Sequence, residues 1–267
     1  MFMAFHDDII LQEVSSGLFA TEIIEDYWII VGPNGGYLGA LITNAAEMHL
    51  EREPYQLRGI TIHYLTPPKL GPIEIRVTTI RTGKSVTFLQ FEMTQNSEVV
   101  LVATGSWASI NEGIESPQIM IPDVPGPESC PVPTRITDSP TRLHEKWEIR
   151  SVNQALSASF ENNNSRMQWW IRPKETTPMS SSLIVAAADA LPPPIFFQSD
   201  KIKMAPTIDL TIHVRADIDS VQWNGASWLL AEFVTSHASG GFIEEDGLIW
   251  NDAGTLICMS RQLALAR

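Results

Sequence analysis

Ile73, Ile75 and Val77 alternate with Glu74, Arg76 and Thr78, which is the period of a strand with one buried face. Other stretches show no alternation. Leu183-Ile184-Val185-Ala186-Ala187-Ala188 is apolar or small on every side, as suits a helix wrapped by protein all round. In chain order the pattern predicts a helix over 36–50 and strands over 57–65, 73–81, 85–96 and 99–110. A second helix over 181–191 follows, with strands over 207–214, 228–236, 241–250 and 255–265. Arg81-Thr82-Gly83-Lys84-Ser85 and Asn251-Asp252-Ala253-Gly254 supply hairpin turns, so the sheet is expected to be antiparallel.

One plan is written twice. Each half begins with a strand, reaches a proline followed by small residues (Pro33 before Asn34-Gly35-Gly36, Pro178 before Met179-Ser180-Ser181), enters an apolar helix and then gives a series of strands. Thr-Ile-His occurs at 61–63 and again at 211–213, an offset of 211 − 61 = 150. Between the copies lie Pro117, Pro122, Pro125, Pro127, Pro131, Pro133 and Pro140, a density that prevents helix and central strand alike. The expected organisation is an N-terminal unit over 1–110, a Pro-rich linker over 111–140 and a C-terminal unit over 141–267.

Composition narrows the partners. With 44% hydrophobic residues the chain of 267 can bury a sizeable core. Its 18 basic and 31 acidic residues give 18 − 31 = −13, and no Lys/Arg run offsets that balance. This argues against nucleic acid or an anionic membrane as the main partner. Cys130 and Cys258 lack the spacing of a disulfide framework or a cysteine zinc site. No apolar run approaches the roughly 18 residues of a membrane span and no basic leader opens the chain, so a cytoplasmic protein without a membrane span is expected. Asn163-Asn164-Ser165 fits the glycosylation triplet, but without a secretion signal it reads as a chance match.

Asp189 is the one charged residue between Glu175 and Asp200. It falls in the apolar second helix, where an unpaired carboxylate is costly to bury. The competing reading is a helix-end carboxylate reaching solvent beside Pro192-Pro193-Pro194. Laying Pro178 on Pro33 puts Asp189 on Asn44, and laying one Thr-Ile-His on the other puts Thr207 on Leu57 and Asp209 on Gly59. Gln262 falls near the Trp107 region. Polar groups thus collect in the second copy, and a structural requirement would recur in both.

Asn34-Gly35-Gly36 opens the first helix, where free amides and the helix dipole suit an oxygen bearing negative charge. The plain alternative is a tight strand-to-helix turn. Gly83-Lys84-Ser85 lacks the earlier glycine of a phosphate loop and reads as a hairpin. His63 and His213, at matched repeat positions, read as packing residues. Ser180-Ser181-Ser182 reads as a capped helix start rather than a nucleophile elbow. Trp169-Trp170 and Phe196-Phe197 read as core, with a few aromatic residues available to line a pocket. No His/Asp/Glu cluster has metal-ligand spacing. Lys69, Arg81, Lys84, Lys201 and Lys203 are candidate phosphate contacts or plain solvated surface.

A long helix enclosed by a curved antiparallel sheet, duplicated, is the α+β double hotdog. Gly32-Pro33-Asn34-Gly35-Gly36-Tyr37-Leu38-Gly39-Ala40-Leu41, Ala187-Ala188-Asp189-Ala190-Leu191-Pro192, Ala205-Pro206-Thr207-Ile208-Asp209 with His213, and Ser260-Arg261-Gln262 resemble the acyl-CoA thioesterase II family. That resemblance implies hydrolysis of an acyl-CoA or acyl-carrier thioester by an activated water, without a covalent intermediate or a cofactor. It also implies a homo-oligomer meeting through the sheet faces. Asp189, Thr207 and Gln262 match the family's water-holding residues, and Asn34, Gly35 and Gly36 are the candidates for polarising the carbonyl. The connection from Asp189 to Thr207 is shorter than in the family, which bears on the shape of the acyl pocket. Two other readings stand beside hydrolysis: a hotdog dehydratase, cyclase or rearrangement enzyme for a polyketide-like substrate, and a non-catalytic acyl-binding module.

Overall fold

The computed structural model describes residues 5–51, 55–110, 113–114, 117–133, 142–152, 166–197 and 201–267. Among these residues twelve strands form one antiparallel sheet. Its centre is the pair β3 (Gln56–Tyr64) and β9 (Thr207–Val214). Thr61 lies opposite Thr211, with Ile60 opposite Ile212 and Ile62 opposite Leu210. The two threonine hydroxyls are 3.0 Å apart. Residues separated by the repeat offset therefore face one another, and a pseudo-two-fold axis passes between them.

From that axis the strands run outward in matching order. On one side lie β6 (Glu98–Ala108), β5 (Val86–Gln95), β4 (Gly71–Thr82), β2 (Leu18–Ile23) and β1 (Gln12–Ser15). On the other lie β12 (Leu256–Leu265), β11 (Phe242–Asn251), β10 (Leu229–Ser239), β8 (Arg166–Pro173) and β7 (Trp147–Ser151). The alternation expected on β4 is present: Ile73, Ile75 and Val77 are buried while Glu74 and Arg76 are exposed. This is the double hotdog.

Four helices complete the fold among the described residues: α1 (Phe5–Asp8), α2 (Gly35–His49), α3 (Leu143–Lys146) and α4 (Ser181–Ala187). α2 starts at Asn34, whose side chain accepts from the Tyr37 amide at 3.0 Å. α4 starts at Ser180, whose hydroxyl accepts from the Leu183 amide at 3.1 Å. Such caps satisfy amides that the first turn leaves without partners. The second helix is shorter than the apolar pattern suggested, because it ends at Ala187 instead of running to 191. Asp189 and Ala190 donate to Ala186 and Ala187, three residues back, which tightens the chain into a turn ahead of Pro192-Pro193-Pro194.

α2 and α4 pack against each other beneath the sheet, and Gly39 permits it. A Cβ there would stand 2.6 Å from Val185 Cγ1 and 2.9 Å from Ile62 Cδ1. The core is shared: Leu41, Ile62, Leu183, Val185 and Ile212 belong to one buried cluster. A second tie between the halves is ionic. Lys146 reaches Asp8 at 2.7 Å and Asp26 at 2.9 Å, and Tyr27 donates to Asp8 at 2.8 Å.

Residues 117–133 pack over the outer face of the second half. Trp170 and Trp250 donate from their indole nitrogens to the carbonyls of Pro125 (2.9 Å) and Ile119 (3.1 Å). With Trp228, Leu230 and Cys130 they form a cluster outside the main core. Cys130 and Cys258 are both free and buried.

Gly39→Val is expected to lower the unfolding free energy by about 1–3 kcal/mol through overpacking, and adding Val185→Ala to recover part of the loss. Urea unfolding of the two variants checks this.

Candidate active site

Asp189 leaves the end of α4 and comes to rest on the start of α2, a helix of the other half. Its Oδ2 accepts from the Gly36 amide at 2.8 Å and from Asn34 Nδ2 at 3.1 Å. Asn34 Nδ2 also donates to the Asp189 carbonyl at 2.8 Å. The glycines make this approach possible. A Cβ on Gly35 would lie 2.9 Å from Asp189 Oδ2, and one on Gly36 would lie 2.8 Å from the Ala186 carbonyl and 3.0 Å from Asp189 Cβ. Tyr64 closes one side by donating to the Gly35 carbonyl at 2.9 Å.

Two influences set the charge of this carboxyl. Burial pushes its pKa up, while the Gly36 amide, the Asn34 side chain and the Gly35 amide favour the anion; the balance is about 6. Asp189 keeps a partly accessible edge. Burial, and next the charge of Asp189, hold Tyr64 well above the ordinary phenol value, so Tyr64 stays a donor.

Thr207 and Gln262 form a second cluster. Gln262 is buried, and its Nε2 donates to Thr207 Oγ1 at 2.8 Å. Opposite Gln262 on β11 stands Glu245, which the sequence reading did not single out. Glu245 is 8% exposed, and its Oε2 has no hydrogen-bond partner. Burial first, then the charges of Asp189 and Asp246, push its carboxyl up to about 8. The Asp189 charge is thus felt at Glu245; among the described residues Asp189 makes no direct hydrogen bond to Thr207 or Gln262. A signal for Glu245 was present in the sequence, since it shares inward parity with Ile243 and Ile249 on its strand.

At the pseudo-symmetric place in the first half, the three counterparts are Leu57, Leu89 and Gly105, with the buried Thr87 beside Trp107. Ala103 of β6 faces Ile62 and Ser260 of β12 faces Ile212, an offset of 260 − 103 = 157. Gln262 therefore matches Gly105, two residues before Trp107. Glu245 matches Leu89, which pairs with Gly105, and Thr207 matches Leu57. Trp107 is fully buried and fills this place: a Cβ on Gly105 would stand 2.6 Å from its ring. The helix caps at 34 and 180 give an offset of 146, so Asp189 matches Thr43, one position from Asn44.

The remaining candidates lie elsewhere. His63 and His213 are exposed on the central strands, with His63 opposite Asp209. Gly83 donates to the Val86 carbonyl at 2.9 Å in the β4–β5 hairpin. Lys69, Arg81, Lys84, Lys201 and Lys203 are exposed. Trp169 is in the core, 5.8 Å from Phe197, and Asn163-Asn164-Ser165 lies outside the described residues. Among the described residues no helix is long and apolar enough to cross a membrane.

Comparison with known proteins agrees with this architecture. The model of the acyl-CoA thioesterase N-terminal domain matches residues 24–108, and that of the acyl-CoA thioesterase C-terminal domain matches residues 127–266. The chain belongs to the acyl-CoA thioesterase family that these two domain models describe. Its structure is similar to that of a hot dog fold protein of unknown function from Alicyclobacillus acidocaldarius, with 24% identity and a TM-score of 0.90 over 100% of this chain and 99% of that one. It is also similar to the acyl-CoA thioesterase II TesB2 of Mycobacterium marinum, with 20% identity and a TM-score of 0.77 over 99% and 98%. An uncharacterised protein of Mycobacterium tuberculosis is 21% identical over 91% of this chain and 89% of its own.

A carboxyl whose pKa is raised by folding binds more protons folded than unfolded, so stability falls as the pH rises toward the folded value. For Glu245 the window runs from the ordinary 4.5 to about 8. Across it wild type should lose more stability than Glu245→Gln, measured by urea unfolding at fixed pH values. Equal pH dependence of the two proteins would contradict the burial of this group.

Proposed function

We propose that this protein hydrolyses an acyl thioester, carried on coenzyme A or on a carrier protein, with Asp189 as the base that activates water. The observation that carries the reading is Asp189 itself. It is a carboxylate set on a helix start inside the fold, with a pKa of about 6, beside a polar cluster that the other half lacks. Family membership supports thioester hydrolysis as the reaction type.

Thr207 and Gln262 can each donate and accept, so the pair bonded at 2.8 Å can fix the direction of one water. Asp189 takes a proton from that water as its oxygen attacks the thioester carbonyl. The carbonyl π electrons move onto oxygen. When the tetrahedral intermediate collapses, the carbon–sulfur bond breaks, and the leaving thiolate takes up the proton held by Asp189, which restores the carboxylate.

The amides of Gly35 and Gly36 and the Asn34 side chain belong to this scheme in a double capacity. In the resting site they favour the Asp189 anion. As Asp189 takes up the proton its claim on those donors weakens while charge grows on the substrate oxygen, so one helix start serves the two anions in turn.

Asp189→Asn is expected to lower kcat for acyl-CoA hydrolysis by about 10²–10⁴-fold, with the fold retained. The base works deprotonated, so wild-type kcat should rise with pH through about 6 and level off above it. Free-thiol release across a pH series measures both, and full activity in Asp189→Asn would overturn the assignment.

A further inference from the structure

On the concave face of the second half, polar side chains cross four neighbouring strands. Thr207 of β9 is bonded to Gln262 of β12, Gln262 faces Glu245 of β11, and Glu245 faces Thr235 of β10. All but Thr207 are buried. Thr207 and Gln262 have work in the proposed hydrolysis, but Glu245 does not. Its burial is costly: a carboxyl oxygen with no partner inside a protein loses its hydration without compensation. The scaffold does not require it either, because the same place in the first half is occupied by Leu89.

A buried polar group that neither the fold nor the reaction uses is best explained by a ligand that completes it. Glu245 lies across from Gln262, at the roughly 5 Å spacing of directly opposed side chains. An acyl chain whose thioester carbon sits at the Thr207–Gln262 pair and which runs across the strands toward Glu245 comes within reach of it at roughly its third or fourth carbon. Resting on the thioesterase reading above, we propose that Glu245 is a specificity residue that hydrogen-bonds a hydroxyl group at that position, making hydroxyacyl thioesters the preferred substrate class.

A hydroxyl suits the site because it donates and accepts through one atom. Burial keeps the Glu245 carboxyl largely protonated at neutral pH, so it too can do both. A carboxylated acyl chain would instead bring a further negative charge beside Asp189. An unsubstituted chain would leave the Glu245 oxygen unpaired, and a site built to bond a polar group rejects the analogue that lacks it.

The test compares 3-hydroxybutyryl-CoA with butyryl-CoA by thiol release. The wild type is expected to favour the hydroxylated substrate in kcat/KM by about 10- to 100-fold. Glu245→Leu, which copies the first half, should bring the ratio close to one, mainly by raising KM for the hydroxylated substrate. Glu245→Met, of similar length and without a hydrogen-bonding head, should do the same and decides the matter if the leucine variant does not fold. Glu245→Gln, which keeps a donor and an acceptor, should retain most of the preference. A wild-type ratio near one, or a ratio unchanged in the folded leucine or methionine variant, overturns the proposal. Thiol release from neither substrate would overturn the thioesterase reading on which it rests, a separate outcome.

Discussion

A carboxylate of one half seated on the helix start of the other is the contact on which the rest depends. The Asp189 Oδ2 bonds to Gly36 and Asn34 exist only when α2 and α4 lie side by side. That packing requires Gly39 against Val185 and the central ladder of β3 with β9. In the proposed function the contact also sets the chemistry. Burial alone would leave Asp189 neutral, and full hydration would leave it a weak base. The amides of α2 hold it between, near the pH at which a base works well.

The scaffold is symmetric and its contents are not. Strand order repeats outward from the Thr61–Thr211 axis, yet Leu57, Leu89 and Gly105 stand where the second half has Thr207, Glu245 and Gln262. Trp107 closes the gap over Gly105 with its ring, whereas its own counterpart is Ala264, the partner of Thr207 in the ladder. The first half fills that place with the Trp107 ring, and the second keeps Thr207, Glu245 and Gln262 there. In the proposed function the first half thus supplies one wall, the α2 start, of a site whose polar side chains come from the second.

Much of this was legible from the chain. Strand positions came from period-two alternation, which local burial enforces, and the 150-residue offset proved to be the pairing across the axis. The lone charge among apolar neighbours marked Asp189, and the one-sided polarity of the repeat marked Thr207 and Gln262 as different from their counterparts. What escaped was set by distance in the fold. Glu245 sits inside the acidic run Glu244-Glu245-Asp246, where only strand parity separates an inward side chain from a solvated one. The end of α4 at Ala187 was hidden because an apolar turn and an apolar helix read alike. The commitment of the Gly36 amide to Asp189 spans 153 positions, beyond the reach of any local pattern.

The central claim is that the carboxylate on the α2 start activates water and does not itself attack the acyl carbon. A single turnover with enzyme in excess, in water enriched in oxygen-18, tests it most directly, with mass analysis of the released acid and of the peptide containing Asp189. The account predicts one heavy oxygen in the acid and none in Asp189. An unlabelled acid after the first turnover, with heavy oxygen in Asp189, would contradict it.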